Sequence, residues 1–461
     1  MGTGTRVPAP RHKVPVPTCF EIDKMIEIRK PDVIIEKLLP PVKVREDVAY
    51  IPSQYALPFE QGGKWYVFNN LTKQYIEGEL PSSARAGEGY DELIRSQFLV
   101  PEGKDECAYY NQISSLVRVY NKKKGVRGYT ILPTFGCNAR CIYCYEEGMK
   151  QVTMTLEIVE QTIRYILGTH IGDKVKLSWF GGEPLLGVRT IDRICEGMRE
   201  SGLEYKSSMI SNGSLITPQI IYKMAGDWHL DHIQISMDGA ESDYIYRKHY
   251  RSYEDHYHQV MESVSLMSEA GITVNIRCNV DEENWDRIPA FLDDLNAGIT
   301  HKAKVGLYFC PLNDVRMSDS DLPMWRKIRE IRPLIEAAGF RTTPFLGLGL
   351  NFRVNHCMAD GGSVVITPDG SLYPCEHCPA ESRFGDIWNG VTDEAAKKEF
   401  CRVDRTREKC RKCPFLPDCT SFTACPVQDK HCREIHELMA IDALKRMVEK
   451  LEQPGGESPI C

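Results

Sequence analysis

The chain has 461 residues, 42% hydrophobic and 26% charged, with 57 Lys and Arg against 64 Asp and Glu for a net charge of -7. This is more chain than one ordinary core absorbs, so two or three domains are expected, and the acidic balance argues against a nucleic-acid binder, which needs a concentrated basic surface. No apolar run approaches the roughly 20 residues that span a bilayer, and Met1 to Pro17 is Pro-rich and basic without the apolar stretch of a signal peptide, so a soluble cytoplasmic protein is expected.

Residues 1–45 mix Pro, Lys and short apolar runs without a sustained period, and read as an extended tail with one short helix around Glu21–Arg29. In 46–125 the pattern changes. Lys64-Trp65-Tyr66-Val67-Phe68 is β-rich, Asn69-Asn70-Leu71-Thr72 is a turn and Lys73-Gln74-Tyr75-Ile76 returns, which is the signature of a hairpin. Helical stretches near Tyr90–Phe98 and Glu106–Val119 complete a small α+β unit.

From residue 126 to 345 the chain is regular. Apolar β-type runs recur at Tyr129–Thr134, Val175–Phe180, Ser207–Ser211, His232–Met237, Thr273–Val280 and Lys304–Pro311. Amphipathic helical segments lie between and after them, near 154–167, 188–200, 217–226, 254–270, 284–296 and 321–338. Strand and helix alternating at about 30 residues describe βαβ units and a parallel sheet. Six such units predict an α/β fold built on a partial (β/α)6 barrel, with ligands at the C-terminal ends of the strands. In 346–461 Cys, Pro, Gly and Asp dominate until about Lys430, a composition that usually needs a metal to fold. An amphipathic helix follows over Glu434–Glu452.

The anomalous count is 18 cysteines, of which two precede Cys137 and ten lie between Cys357 and Cys461. A reducing compartment would not keep them as disulfides, so they point to metal. Cys137, Cys141 and Cys144 form C-x3-C-x2-C in the loop after the first β-run of the barrel. Three thiolates suit a cubane iron–sulfur cluster that keeps one iron free, or a zinc site completed by a fourth residue. Phe180-Gly181-Gly182-Glu183-Pro184, Ser211-Asn212-Gly213 and Ser236-Met237-Asp238-Gly239 follow the second, third and fourth runs. Glycines at successive strand ends let a ligand approach the backbone, although such turns also occur for structural reasons.

C-x3-C-x2-C with Tyr143 before the third cysteine, followed by GGEP, resembles the radical S-adenosylmethionine (SAM) superfamily over residues 128–312. The resemblance implies a [4Fe–4S] cluster whose open iron is chelated by the amino and carboxylate groups of SAM. Reductive cleavage of SAM then yields a 5′-deoxyadenosyl radical, with the electron supplied by an external donor such as flavodoxin or ferredoxin. It further implies that Gly181, Gly182 and Glu183 hold the methionyl amine, and that Ser211, Asn212 and Ser236 hydrogen-bond the ribose or carboxylate. Arg247 or Lys248 would pair with that carboxylate, while Arg277 and Asn279 face the SAM side. Ordinary strand-end hydrogen bonding is the plain alternative for each of these polar residues.

Cys357, Gly370, Cys375, then Cys410-x2-Cys413-x5-Cys419, Cys425 and Cys432 resemble the SPASM extension of radical SAM enzymes, which carries two auxiliary [4Fe–4S] clusters and brings the implied total to three. Carried over by position, Cys410, Cys413, Cys419 and Cys432 hold one cluster, and Cys357, Cys375 and Cys425 ligate the other. Two departures matter. Five residues separate Cys419 from Cys425 where the common pattern has three, so the places of Cys425 and Cys432 are exchangeable. Ser363 stands where fully ligated members have a cysteine, which leaves the first auxiliary cluster three protein ligands unless Cys378 supplies a fourth. A zinc ribbon on Cys410, Cys413 and Cys419 is the alternative. Cys19, Cys107, Cys195, Cys278, Cys310, Cys401 and Cys461 fall outside both patterns and read as small core residues.

The hairpin unit resembles the winged-helix-like recognition domain with which peptide-modifying radical SAM enzymes grip a leader peptide as an added strand; a mere cap on the barrel is the alternative. The run Asp238-Gly239-Ala240-Glu241, Tyr244, Lys248, Tyr250 and Asn275 to Val280, with Cys357-Met358-Ala359-Asp360 and Cys375-Glu376-His377, resembles maturases paired with cysteine-rich precursors. The resemblance implies hydrogen abstraction from a ribosomally made precursor peptide and a cross-link, a cysteine thioether first among the bond types. The second reading is a sulfatase-type maturase that makes formylglycine, in which Glu376 aligns with the acidic residue taken as the base; a solvated loop carboxylate is the plain alternative. A non-enzymatic iron–sulfur or zinc scaffold that binds peptides is the third.

Overall fold

The computed structural model describes residues 25–26, 39, 42–122, 125–148, 150–252, 256–312, 321–342, 362–376, 380–401, 408–417 and 432–452. The chain divides into two units, Met1–Lys104 and Asp105–Cys461.

In the first unit the expected hairpin forms. Lys64–Asn69 and Gln74–Glu77 pair antiparallel, and Ala56–Gln61 adds to the other side of Lys64–Asn69. The turn closes because the Asn69 side-chain oxygen accepts from the N–H groups of Leu71 at 2.9 Å and Thr72 at 3.1 Å, an Asx turn. Met25 and Ile26 correct the sequence reading: instead of lying in a short helix, they pair as strand with Ile76 and Tyr75. Val67, Ile76, Leu93, Ile94, Phe98 and Leu99 form the core. Among the described residues of this unit the one helix is Asp91–Arg95; the helix Glu106–Lys122 falls in the second unit. A winged-helix arrangement is therefore not laid out in the described part of the first unit.

The second unit carries six parallel strands at the expected places: β1 (Gly128–Ile131), β2 (Lys174–Trp179), β3 (Glu204–Ser211), β4 (Leu230–Ser236), β5 (Thr273–Val280) and β6 (Val305–Pro311). They lie side by side in sequence order, each parallel to the next. The sheet runs further than the sequence indicated. β7 (Arg341–Thr342) adds parallel beside β6. On the opposite edge β8 (Ser363–Ile366) adds parallel to β1, followed antiparallel by β9 (Ser371–Tyr373), β10 (Gly385–Asp386) and β11 (Gly390–Val391). The cysteine-rich segment thus begins as a continuation of the barrel sheet, with Val364, Val365, Ile366 and Leu372 buried.

The helices are α1 (Leu156–Thr169), α2 (Val188–Glu200), α3 (Pro218–Ala225), α4 (Glu241–Lys248), α5 (Tyr257–Glu269), α6 (Ile288–Gly298) and α7 (Asp321–Ala337). Thr155 and Thr217 cap α1 and α3 with their hydroxyls, and Pro218 sits at the first turn of α3, where its missing N–H costs nothing. Val175, Leu177 and Trp179 of β2, and Val274, Ile276 and Cys278 of β5, are buried in one core with Ile191, Ile194 and Met198 of α2 and Val260, Val264 and Met267 of α5. The alternate residues Ser178, Ser208, Gln234, Arg277 and Tyr308 face the other way and are half-buried. Tyr308 Oη donates to Gln234 Oε1 at 2.6 Å across the intervening β5, which marks that side as the concave one. The C-terminal helix (Cys432–Glu452) joins α7 through Asp442, which pairs with Arg332 and, at 2.8 Å, with Arg446.

Candidate cluster and cofactor site

The loop after β1 carries Cys137, Cys141 and Cys144, all three half-buried and outside any disulfide. Its position is set by two neighbours. The first is the end of α4, whose last carbonyls have no partner within the helix. Arg140 N–H donates to the carbonyls of Lys248 and His249 at 3.0 Å each, and Ile142 N–H to that of Arg247 at 3.1 Å. His249 ends α4 in the left-handed conformation at φ 48°, which turns the chain so that Arg251 N–H reaches Asn138 O at 2.9 Å. The cysteine loop is therefore the C-terminal cap of α4.

The second neighbour is the Gly181-Gly182-Glu183 turn after β2. Gly182 N–H donates to Thr134 O at 3.1 Å and Glu183 N–H to Gly136 O at 2.8 Å. A Cβ on Gly182 would lie 2.3 Å from Gly136 O, and one on Gly181, at φ 116°, would lie 2.4 Å from Thr134 O. Both glycines are required by the closeness of the two backbones, apart from any ligand. Glu183 is fully buried. Its Oε1 accepts from Leu185 N–H at 3.1 Å and Ser211 Oγ at 2.9 Å, and its Oε2 from Asn212 N–H at 2.9 Å. Burial pushes its pKa up, while those hydrogen bonds and the Lys248 charge pull the other way. The carboxylate joins the ends of β2 and β3 beneath the cysteine loop. Asn212 Nδ2 continues the link, donating to Asn138 Oδ1 at 2.9 Å and lying 4.0 Å from Cys137 Sγ.

A buried network that the sequence reading did not assign centres on Asp238, directly after β4. Lys248 Nζ lies 3.0 Å from Asp238 Oδ2, with side chains 3% and 0% exposed. Tyr143 Oη also donates to Asp238 Oδ2 and accepts from Lys248 Nζ at 3.2 Å. Asn279 Nδ2 donates to Asp238 Oδ1 at 2.9 Å, and Asn284 Nδ2 to the Asp238 carbonyl at 3.1 Å. Burial alone would lower the Lys248 ammonium, yet the Asp238 and Tyr143 charges hold it well above the usual lysine range. The two cations suggested for a SAM carboxylate are thus already paired, Lys248 with Asp238 and Arg247 with Asp281 at 2.5 Å. The available signal was an acid at a strand end with a cation ten residues on.

Ser236 ends β4 in register with Arg277 and is half-buried. Arg277 Nε donates to Asn279 Oδ1 at 3.0 Å, and its Nη2 to Cys310 Sγ at 3.5 Å. The structure therefore gathers Gly181, Gly182, Glu183, Ser211 and Asn212 under the cysteine loop. Asn279 and Lys248 join the same site through Asp238, while Arg277 reaches toward β6.

Cys375, just past β9, is buried and directs its thiol to Glu376 Oε2 at 3.6 Å. Burial first, then the charges of Glu146, Glu376, Cys144 and Cys375, push the Tyr145 hydroxyl up. The charges of Cys375 and Glu376 thus reach Tyr145 at the end of the cysteine loop. Cys410 and Cys413 are half-buried, held by Cys413 N–H donating to Cys410 O at 3.1 Å. Cys432 is the first residue of the C-terminal helix. Ser363 opens β8 opposite Gly128. Cys357, Cys378, Cys419 and Cys425 lie outside the described residues. Cys107, Cys195, Cys278 and Cys310 are buried and outside any disulfide.

The donor set of the loop suits an iron–sulfur cluster. Burial pushes the Cys137 thiol up to about 11 and raises Cys144 as well, so ligation there releases protons. Among the described residues no three His, Cys, Asp or Glu side chains converge where a single metal ion could sit. Among the described residues no helix is long and apolar enough to cross a membrane.

Comparison with known proteins agrees with this geometry. Residues 131–295 match the radical SAM superfamily, and residues 357–414 match SPASM, an iron–sulfur cluster-binding domain. The radical SAM cyclopropyl synthase TigE of Paramaledivibacter caminithermalis is 20% identical over 415 residues, which are 83% of this chain and 86% of that protein. The antilisterial bacteriocin subtilosin biosynthesis protein AlbA of Bacillus subtilis is 22% identical over 306 residues, 62% of this chain and 64% of that protein. The structure of anSMEcpe with bound AdoMet superposes with a TM-score of 0.56 at 19% identity, covering 70% of this chain and 98% of that one, which establishes a shared fold.

Proposed function

We propose that this chain, which belongs to the radical SAM superfamily and carries a SPASM domain, is a maturase of ribosomally made peptides that installs a cross-link, a cysteine thioether in the first instance. Radical SAM catalysis and iron–sulfur and SAM binding follow from the family. The finer assignments are part of the proposal: a leader-binding role for the first unit, three [4Fe–4S] clusters and a flavodoxin or ferredoxin as donor. So is the assignment of Cys357, Cys375, Cys410, Cys413, Cys419, Cys425 and Cys432 to the two auxiliary clusters. The relatives named for cyclopropyl synthesis and for subtilosin biosynthesis support the substrate class.

When bound, the cluster and SAM supply a 5′-deoxyadenosyl radical that takes a hydrogen atom from the peptide. The chain's own residues hold the site. Glu183, Ser211 and Asn212 fix the strand ends beneath the cysteine loop, and Gly181 and Gly182 let the turn after β2 pack directly on the backbone that leads into that loop. Ser236 and Asn279 complete the polar rim on the next strands. Cross-linking is a net loss of two hydrogens, and the auxiliary clusters are suited to carrying the electron away.

The observation that supports the reading is that the charges of Cys375 and Glu376 reach Tyr145 in the cysteine loop, so the cysteine proposed to ligate an auxiliary cluster and the carboxylate beside it lie on the side of that loop. The same carboxylate supports a second reading, oxidation of Cys or Ser to formylglycine with Glu376 as base. Incubating the reconstituted enzyme with the peptide encoded beside its gene, and separately with a CxPxR-type peptide, distinguishes them. Loss of two hydrogens from the first supports the maturase, and formylglycine in the second supports the alternative.

A further inference from the structure

The concave face of the sheet holds a cation, Arg277, that has no ion-pair partner among the described residues, although it feels the charge of Asp238. Arg277 stands on β5, half-buried, with its side chain leaning toward β6. Asn279 Oδ1 fixes Nε at 3.0 Å and Cys310 Sγ takes Nη2 at 3.5 Å, while Nη1 makes no hydrogen bond among the described residues. The other cations at this rim each have a carboxylate partner, Lys248 in Asp238 and Arg247 in Asp281. No carboxylate pairs with Arg277 among the described residues, although a guanidinium removed from water wants a planar anion. The anchors are themselves immobile: Asn279 and Cys310 are 5% and 6% exposed, and Asn279 is locked by Asp238. A fork held at one edge with the other edge free is pre-organised to bind a carboxylate, because little rotamer entropy remains to be lost.

We infer that Arg277, positioned by Asn279 and Cys310, is a binding site for a carboxylate on the substrate, an Asp or Glu side chain of the peptide. The lean toward β6 favours a substrate carboxylate over the methionyl carboxylate of SAM. The Gly181–Glu183 turn and the Ser211–Asn212 pair sit at the ends of β2 and β3, three and two strands away respectively, at about 4.8 Å per strand. Tyr308 and Gln234, hydrogen-bonded at 2.6 Å, lie on the same face and give the peptide polar neighbours beside the cation. The inference rests on the peptide-maturase reading for its substrate class.

The test uses the cluster-reconstituted full chain with saturating SAM and two probes, N-acetyl-aspartate methylamide and N-acetyl-asparagine methylamide, followed by ligand-observed NMR. The wild type should bind the aspartate probe at least tenfold more tightly than the asparagine probe. Arg277→Gln should erase the preference while leaving SAM affinity, measured by equilibrium dialysis, within about threefold. Arg277→Lys, which keeps the charge without the fork, should retain a smaller preference and guards against a folding defect in the glutamine variant. No preference in the wild type overturns the inference, as does a tenfold loss of SAM affinity in Arg277→Gln with the probe preference intact. The probes report on Arg277 whether or not a precursor is cross-linked, so failure here is separable from failure of the maturase reading.

Discussion

Replacing Asp238 with Asn removes one charge from a pair in which both partners are out of water. Lys248 and Asp238 are 3% and 0% exposed and 3.0 Å apart. Breaking a buried pair by removing one partner costs about 3–5 kcal/mol, because the remaining charge stays desolvated. Asparagine keeps an acceptor for Asn279 Nδ2, now 2.9 Å from Asp238 Oδ1, so the loss is mainly electrostatic. At roughly 2 °C per kcal/mol for a unit of this size, the melting temperature should fall by roughly 6–10 °C. Tyr143 loses its anchor at the same time, so iron loading at the loop should fall as well. The control is the double variant Asp238→Asn with Lys248→Met, which removes the orphaned charge and should recover most of the lost melting temperature. Thermal unfolding followed by circular dichroism reads all three proteins. A single variant that melts within about 1 °C of wild type, or a double variant less stable than the single, refutes the reasoning.

Three further outcomes follow from the same geometry. Gly182→Ala places a Cβ 2.3 Å from Gly136 O, backbone that cannot yield without moving the cysteine loop, so iron content after reconstitution should drop severalfold while Gly168→Ala, in open space on α1, should load normally. Serine at Cys137, Cys141 and Cys144 together should abolish 5′-deoxyadenosine formation; persistence of that product would leave the scaffold reading standing. Asp369 sits in the turn between β8 and β9, accepting from Thr367 Oγ1 at 2.6 Å and Ser371 N–H at 3.1 Å. Burial alone would raise its pKa, but these bonds hold it below the ordinary 3.8. Its stabilisation is therefore present above pH 3.8 and lost as pH falls through the lower folded value. Asp369→Asn should accordingly melt lower than wild type at pH 7, by the worth of no more than about 1 kcal/mol because the exposed carboxylate is screened by solvent, with the gap closing toward pH 3.

The barrel was legible because its strands carry the apolar alternation of a sheet packed on helices, and Val274, Ile276 and Cys278 fill one face as that pattern requires. The cysteine loop and the glycine turn were legible because both are spelled by short, local motifs. What escaped was set by distant residues. Asp238 meets Lys248 and Tyr143 only after α4 folds back beneath the loop, and nothing local announces that contact. Ser363–Ile366 looked like the start of a metal-dependent segment, yet it is short and apolar enough to pair with the free edge of β1. Met25 and Ile26 likewise took their conformation from the strand they pair with, not from their own sequence. Cys310 reads as core by burial, and the position of Arg277 on the neighbouring strand is what brings a guanidinium to its sulfur.

The central claim is that a hydrogen atom passes from a precursor peptide to the adenosyl radical generated at Cys137, Cys141 and Cys144. The direct test is to supply the reconstituted enzyme with SAM, an electron donor and the perdeuterated peptide encoded beside its gene, and to weigh both products. Deuterium in the recovered 5′-deoxyadenosine, with a peptide lighter by two hydrogen-isotope atoms, is the predicted result. Deuterium-free 5′-deoxyadenosine and a peptide of unchanged mass would contradict it.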